Sequence, residues 1–362
     1  MSRLSVPRLS LDAVHTLAAP HGADATALHR LTGGNAFYVT EALAAGAEKL
    51  PETVRDAVLA RAARLSPRAR RLLDVVSLVP AAAELWLVEA VAAEELDALD
   101  ECLDAGMLRD TAGNVGFRHE LARLALESAV APQRRRALHA RLLHALAAPP
   151  AGPPDHSRIA HHAEQAGDIE AVLEHAPAAA GQASRSGAHR EAAAQYDRAL
   201  RHAGALPPAA RIALLVAYGQ EAQLVGRYRD SIDARLQAIG LLRELGDTLA
   251  EGDLEWRLTS PYIALGANAE AEAASRTAIE LLEPLPASRE LASAYASQAY
   301  MRMLNRDTRE GVAWGQRAVA VARQLDDPDT LAFGLNMVGT SYVMAGEIEL
   351  GIDHLLQSLA VA

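Results

Sequence analysis

Residues 335–359 read L-N-M-V-G-T-S-Y-V-M-A-G-E-I-E-L-G-I-D-H-L-L-Q-S-L. Gly339 and Tyr342 fall on one predicted helix, Gly346 on a turn, and Gly351, Leu355 and Ser358 on a second helix. The same pattern runs back through the chain. Small residues recur at Ala199, Ala238, Ala278, Ala318 and Ser358, spaced 39, 40, 40 and 40 residues apart. A second register precedes them at Gly187, Gly226, Gly266 and Gly346. A fixed period of this size predicts a solenoid in which each helical hairpin packs on the next.

The content of each unit resembles a tetratricopeptide repeat. In that pattern small residues sit where two antiparallel helices approach closely, because a larger side chain would push the backbones apart. The first unit (Gly187, Ala192, Tyr196, Ala199) and the second (Gly219, Ala222, Gly226, Tyr228, Ser231, Ala238) fit. The fourth carries Asn305-Arg306 where its neighbours have a turn glycine, and the third has Pro261 inside its first helix, which predicts a kink or break. The usual unit has 34 residues, so a 40-residue period implies longer helices or loops. Alanine-rich helical hairpins of no particular family are the plainer alternative.

Composition points the same way. Of 362 residues half are apolar, aromatics make up only 4%, and Ala/Leu/Arg/Glu stretches dominate, so burial must come from many small helical contacts. An all-α chain of two or three domains follows. The net charge of -11 argues against a nucleic-acid surface covering most of the chain. Cys102, the one cysteine, excludes an intrachain disulfide and suits a reducing cytosol. No run of about 20 apolar residues predicts a membrane span, and the first ten residues lack the apolar core of a signal peptide. A soluble, cytoplasmic protein with no membrane contact is expected. Lys49 is the only lysine and lies in A-G-A-E-K-L-P, so the chain holds no G-x-x-x-x-G-K-[ST] phosphate loop.

The first 150 residues read as a different region. Residues 2–8 predict a short strand, and Ser10 can cap a helix beginning L-D-A-V-H-T-L. Further helices are expected over 23–31, ending at Gly33-Gly34, over 37–45 and over 51–65. Ser66-Pro67 starts another, ending near Pro80, and two shorter helices follow over 84–92 and 94–105. Alternating segments around Asp110–Asn114 predict a β-hairpin, and three helices with a hairpin describe a winged helix. A long basic helix from Phe117, interrupted at Pro132, closes this region, and P-P-A-G-P-P at 149–154 is the clearest linker.

Four motifs in order carry a wider resemblance: L-T-G-G-N-A-F-Y-V-T-E (31–41), L-P-E-T-V-R-D-A-V-L-A-R (50–61), L-S-P-R-A-R-R-L-L (65–73) and F-R-H-E-L (117–121). Ahead of tetratricopeptide-like repeats, they resemble the middle of the large ATP-binding LuxR-type transcriptional regulators, which belong to the signal-transduction ATPases with numerous domains (STAND). The resemblance implies a remnant ATPase strand at 1–8, a helical lid at 9–65, a winged-helix-like domain at 66–148, a linker at 149–155 and a repeat solenoid at 156–362. It also implies a central fragment, lacking the P-loop ATPase and the C-terminal helix-turn-helix of an intact parent. Gly34, Asn35 and Ala36 match the family's lid element, with Ala36 in place of its proline. His119 matches the histidine that meets the β-phosphate of ADP in related switches. ATP or ADP is thereby implied for the parent and no cofactor for this chain. The alternatives are a helix-terminating turn at Gly33-Gly34-Asn35 and a helix-start residue bonding a nearby carbonyl at His119.

Other constellations suggest no chemistry. His156, His161, His162 and Glu164 lack the spacing of a zinc helix and read as helix-surface residues, and no metal site is assigned. Arg134–Arg136 reads as a solvated face, Cys102 as core, and no G-x-S-x-G nucleophile is present. No catalytic residue is assigned and no enzyme is expected. The better candidate is a groove along the repeats: Gln220, Trp256, Tyr300, Met303, Phe333 and Asn336 fall on first-helix positions of the predicted inner face. These residues either receive a small inducer or protein partner, or fill gaps between repeats. The expected function is the regulatory, ligand-sensing core of a LuxR-type regulator. The alternative is a stand-alone tetratricopeptide adaptor that binds a peptide or protein.

Overall fold

A computed structural model describes residues 8–44 and 52–361. The strand expected at 2–8 and Lys49 fall, but for Arg8, outside the described residues. The chain divides into two compact units, Met1–His175 and Ala176–Ala362.

The first unit begins with α1 (Leu11–Ala18), α2 (Ala25–Thr32), α3 (Ala36–Ala44) and α4 (Glu52–Ala62). Ser10 Oγ accepts from the Ala13 amide at 3.2 Å, the cap its position predicts. Gly33 ends α2 in the left-handed conformation, φ +59°. Val14, Ala18, Leu28, Val39 and Ala42 form a small core of their own here.

Next come α5 (Pro67–Ser77), β1 (Ala83–Glu84), α6 (Leu85–Ala92), a 3₁₀ turn at Ala93–Ala98, α7 (Leu99–Asp104), β2 (Leu108–Thr111) and β3 (Asn114–Phe117). Ser66 caps α5 and is itself gripped by Glu101, whose carboxylate accepts from its amide (2.7 Å) and hydroxyl (2.6 Å). The expected hairpin is β2–β3. The sequence missed β1, which pairs antiparallel with β3 on its free edge, giving the order β1-β3-β2. Two residues are too short to show alternation. The basic segment after the hairpin is two helices, α8 (Glu120–Ala129) and α9 (Pro132–Ala147), because Val130 turns extended and Pro132 restarts the helix at its first position. Leu72, Leu87, Leu108, Leu121 and Leu142, all fully buried, bind these elements into one core that also encloses Cys102. The last complete helix is α10 (His156–Ala166). Helix α11 (Ile169–Arg185) contains the unit boundary.

The second unit carries the repeated helical hairpins: α12 (His189–His202), α13 (Pro208–Leu224), α14 (Tyr228–Leu245), α15 (Thr248–Arg257), α16 (Thr259–Ala264), α17 (Asn268–Leu282), α18 (Arg289–Leu304), α19 (Thr308–Leu325), α20 (Pro328–Ala345) and α21 (Ile348–Val361). The repeated small positions do what the spacing requires. Ala199, Ala238, Ala278 and Ala318 have no exposed surface. In the last hairpin a Cβ on Gly351 would lie 2.5 Å from Val343 Cγ2, and one on Gly339 2.8 Å from the Gly351 carbonyl oxygen. Helices α14, α19 and α20 each run 18 residues, which is where the longer period comes from. The third unit's first helix is broken into α15 and α16 ahead of Pro261, as expected. Arg306 holds φ +60°, the left-handed conformation that glycine takes at Gly226, Gly266 and Gly346.

Candidate functional site

In the repeat unit, successive first helices touch: α15 against α18, and α18 against α20. No comparable contact joins α17 to α19 or α19 to α21. The array therefore curls with its first helices inside, and their free faces form the inner surface. The six residues expected there lie on α13, α15, α18 and α20. Gln220, Phe333 and Asn336 are exposed, Phe333 to 39%, while Trp256, Tyr300 and Met303 are half-buried. An exposed phenylalanine ring on a helix that packs its other side is costly to leave in water.

Trp256 serves both alternatives the sequence left open. One side packs against the cluster around Ala278, Leu282 and Tyr295. Its indole N–H donates to Asp253 Oδ1 at 2.9 Å, and the Arg257 guanidinium lies over its ring at 4.7 Å. Asp253 also accepts from Arg257 Nε at 2.8 Å, so the three side chains fix one another at the surface of α15. Beside them Gln223 Nε2 donates to Ser260 Oγ at 3.3 Å, linking α13 to α16.

In the first unit, the turn 33–35 and His119 meet. A Cβ on Gly33 would sit 3.0 Å from His119 Nδ1, and one on Gly34 2.4 Å from the Leu9 carbonyl oxygen. The Leu9 amide donates to the Gly34 carbonyl at 2.8 Å, which needs that closeness. Only glycine fits a left-handed turn packed this tightly. His119 stands just ahead of α8 and hydrogen-bonds the Thr32 backbone, while its Nδ1 is enclosed without a partner. Burial, then the positive charges of Arg8 and Arg118, hold its pKa below the ordinary histidine value. Tyr38 packs edge-on against the ring, centroids 5.4 Å apart. Asn35, Tyr38, Arg61, Arg118 and His119 line a cavity of about 290 Å³. Ala36, by contrast, starts α3 and is exposed. The sequence did not single out Arg8, Arg61, Arg118 or Tyr38 as site residues; Tyr38, Arg61 and Arg118 lie inside quoted motifs, but no spacing rule connects the first two to residues about 60 or more positions away.

The histidines at 156–162 are not all on the surface. His162 is 1% exposed and its Nδ1 lies 2.8 Å from Nδ1 of His139, itself enclosed. Burial drives the pKa of His162 down to about 3 and that of His139 to about 4. This corrects the helix-surface expectation: α9 and α10 pack along this line, and i,i+1 histidines on a helix point to different sides. Arg123, by comparison, is buried with both Glu120 (2.7 Å) and Glu127 (2.8 Å) as partners. Among the described residues no cluster of metal-ligating side chains is present, and no helix is long and apolar enough to cross a membrane.

No protein-family model matches the chain, and no curated protein matches it. Solved structures do resemble it. BtubC (BKLC) from P. vanneervenii is 19% identical over 64% of this chain and 91% of its own, with a TM-score of 0.46. A STAND protein with a tetratricopeptide repeat sensor from Pyrococcus horikoshii is 18% identical over 98% of this chain, with a TM-score of 0.39. This chain spans 54% of that structure's length. A Rap protein complexed with Competence and Sporulation Factor is 10% identical over 85% of this chain and 77% of its own, with a TM-score of 0.47. At these identities the likeness concerns helical-repeat architecture alone.

Proposed function

We propose that the repeat unit is a binding module whose inner surface takes a peptide or protein segment. The observation that carries it is the register of the free side chains: Phe333, Tyr300, Met303 and Trp256 offer apolar surface on consecutive first helices, with Asn336 and Gln220 as hydrogen-bonding neighbours. Apolar anchors interleaved with amides suit an extended chain, whose backbone needs partners as its side chains are buried. No catalytic role is assigned to this face. A photo-crosslinking residue placed at Phe333 should capture a defined partner in extracts of the source cells, and the same residue at exposed Ala320 on α19 should not. Equal capture at both positions, or none at Phe333, would end this proposal.

A second reading is favoured by the meeting of Gly33, Gly34 and His119 beside three arginines. In it the chain is the sensing core of a LuxR-type STAND regulator, with a lid at 9–65, a winged-helix-like domain at 66–148 and a sensor at 156–362. Its cationic cavity would face the phosphates of a nucleotide held mainly by an ATPase domain in the parent protein. A small inducer or protein on the repeats would shift the closed, ADP-bound population, and coupling would be reciprocal. An inducer that binds the full-length parent equally with and without ADP would sink it. This chain alone, lacking a phosphate loop, is expected to bind ADP too weakly to detect by calorimetry.

A further inference from the structure

Among the described residues two arginines are buried, and they are treated differently. Arg123 has two carboxylates; Arg235, only 2% exposed, has none within ion-pair distance. The Arg235 Nη1 donates to Ser231 Oγ at 2.6 Å, and that hydroxyl in turn donates to the Gly219 carbonyl at 2.7 Å. A buried guanidinium whose charge meets only a hydroxyl is costly, several kcal/mol in principle. Burial, then Arg257, pushes its pKa down to about 10, and Asp253 opposes the shift.

The repeat itself does not require this charge. The equivalent positions, 39 or 40 residues apart, are Tyr196, Ser275, Gly315 and Leu355, none of them ionisable near neutrality. The side chain follows a particular course. Its stem crosses α13 at Gly219, where a Cβ would lie 3.4 Å from Arg235 Cγ, and its head is close enough to α15 to feel Asp253 and Arg257. It therefore threads from the outer helix α14 toward the inner face. Among the described residues, the fully enclosed side-chain nitrogen and oxygen atoms without partners are His119 Nδ1, His139 Nε2, Gln223 Oε1 and Ser341 Oγ. Apart from the bond from Nη1 to Ser231 Oγ, the Arg235 N–H groups have no hydrogen-bond acceptor among the described residues.

We infer that Arg235, with Arg257 beside it and Trp256 as an apolar wall, forms a subsite on the inner face that receives a carboxylate of the bound segment. The inference rests on the binding role proposed for that face. Two guanidinium groups against the one carboxylate of Asp253 leave a net positive charge, enough for a monoanion, while Asp253 repels a dianion such as phosphate. Gln223 Oε1, one turn along α13 from Gly219, is enclosed without a donor; a turn of that amide, held only by the 3.3 Å bond from Nε2 to Ser260 Oγ, would present it to an amide N–H of the same ligand. A residue with a free carboxylate and an acylated nitrogen presents both groups.

The test uses the full chain with Trp86→Phe and Trp314→Phe, so that Trp256 is the remaining indole. Its fluorescence is titrated with N-acetyl-leucine, N-acetyl-leucinamide and inorganic phosphate. The expected result is saturable binding of the carboxylate, at least tenfold tighter than the amide or phosphate, with the preference lost in Arg235→Met. Arg235→Met should also melt at a higher temperature than the parent, because it removes an unpaired buried charge; an arginine kept for packing would give the opposite shift. Equal binding of carboxylate and amide, tighter binding of phosphate, no binding of the carboxylate, or selectivity retained in Arg235→Met would each overturn the inference. Crosslinking at Phe333, far along the face, reports on the binding face independently of Arg235.

Discussion

The two units solve the burial problem in opposite ways. The first gathers Leu72, Leu87, Leu108, Leu121 and Leu142, far apart in sequence, around a three-stranded sheet too small to stand alone. The second brings helices together over alanine and glycine at a near-constant interval, so each contact is local and resembles the next. In the first unit a lost side chain leaves a hole; in the second an added one prevents contact. Large side chains make up a core by filling it, and small ones by letting backbones close.

That contrast can be broken most forcefully at Leu72. Leu72→Ala should cost the first unit about 3–4 kcal/mol as a cavity opens, read by urea denaturation through Trp86 in a Trp256→Phe, Trp314→Phe background, and in a Trp86→Phe background should leave the Trp256 and Trp314 transition unmoved. In the second unit, Gly351→Val should cost about 2–3 kcal/mol by overpacking against Val343, with hydrogen exchange rising in α20 and α21 and unchanged in α5 to α9. A Gly351→Val protein as protected as the parent would deny that close approach carries the repeats.

Acid sharpens the comparison further. His139 and His162 are held neutral by burial, with folded pKa values below the unfolded value of about 6.5. The unfolded chain takes up the proton first, so the stability these groups allow is complete above that value and is lost as pH falls toward 4. For one proton the loss is about 2 kcal/mol by pH 5, and it should appear in the Trp86 transition of the first unit and shrink in His139→Phe. The smallest effect expected is a gain: Arg306→Gly removes a strained left-handed arginine and should stabilise the second unit by about 1 kcal/mol, measured by its thermal midpoint.

Legibility followed the same division. The repeats were readable because hairpin packing depends on residues three, four and forty apart, all visible along the chain; even Pro261 announced the break in the third unit, and Asn305-Arg306 the loss of the turn glycine in the fourth. Strand β1 was not, since two residues carry no periodicity and its partner β3 is some thirty residues away. His162 was misjudged for a related reason: a histidine is assigned to the surface until the helix that buries it, here the one carrying His139, is known.

The sequence by itself determined the stacked hairpins, their small contact residues, the caps at Ser10 and Ser66 and the absence of a phosphate loop, because these depend on local backbone preference and on spacing. Only the tertiary structure decided that Gly33 lies against His119, that arginines from separate elements share one cavity, and that Arg235 is buried without a carboxylate. Charge pairing and cavity formation depend on which side chains meet across distant segments, and spacing along one helix holds no information about that.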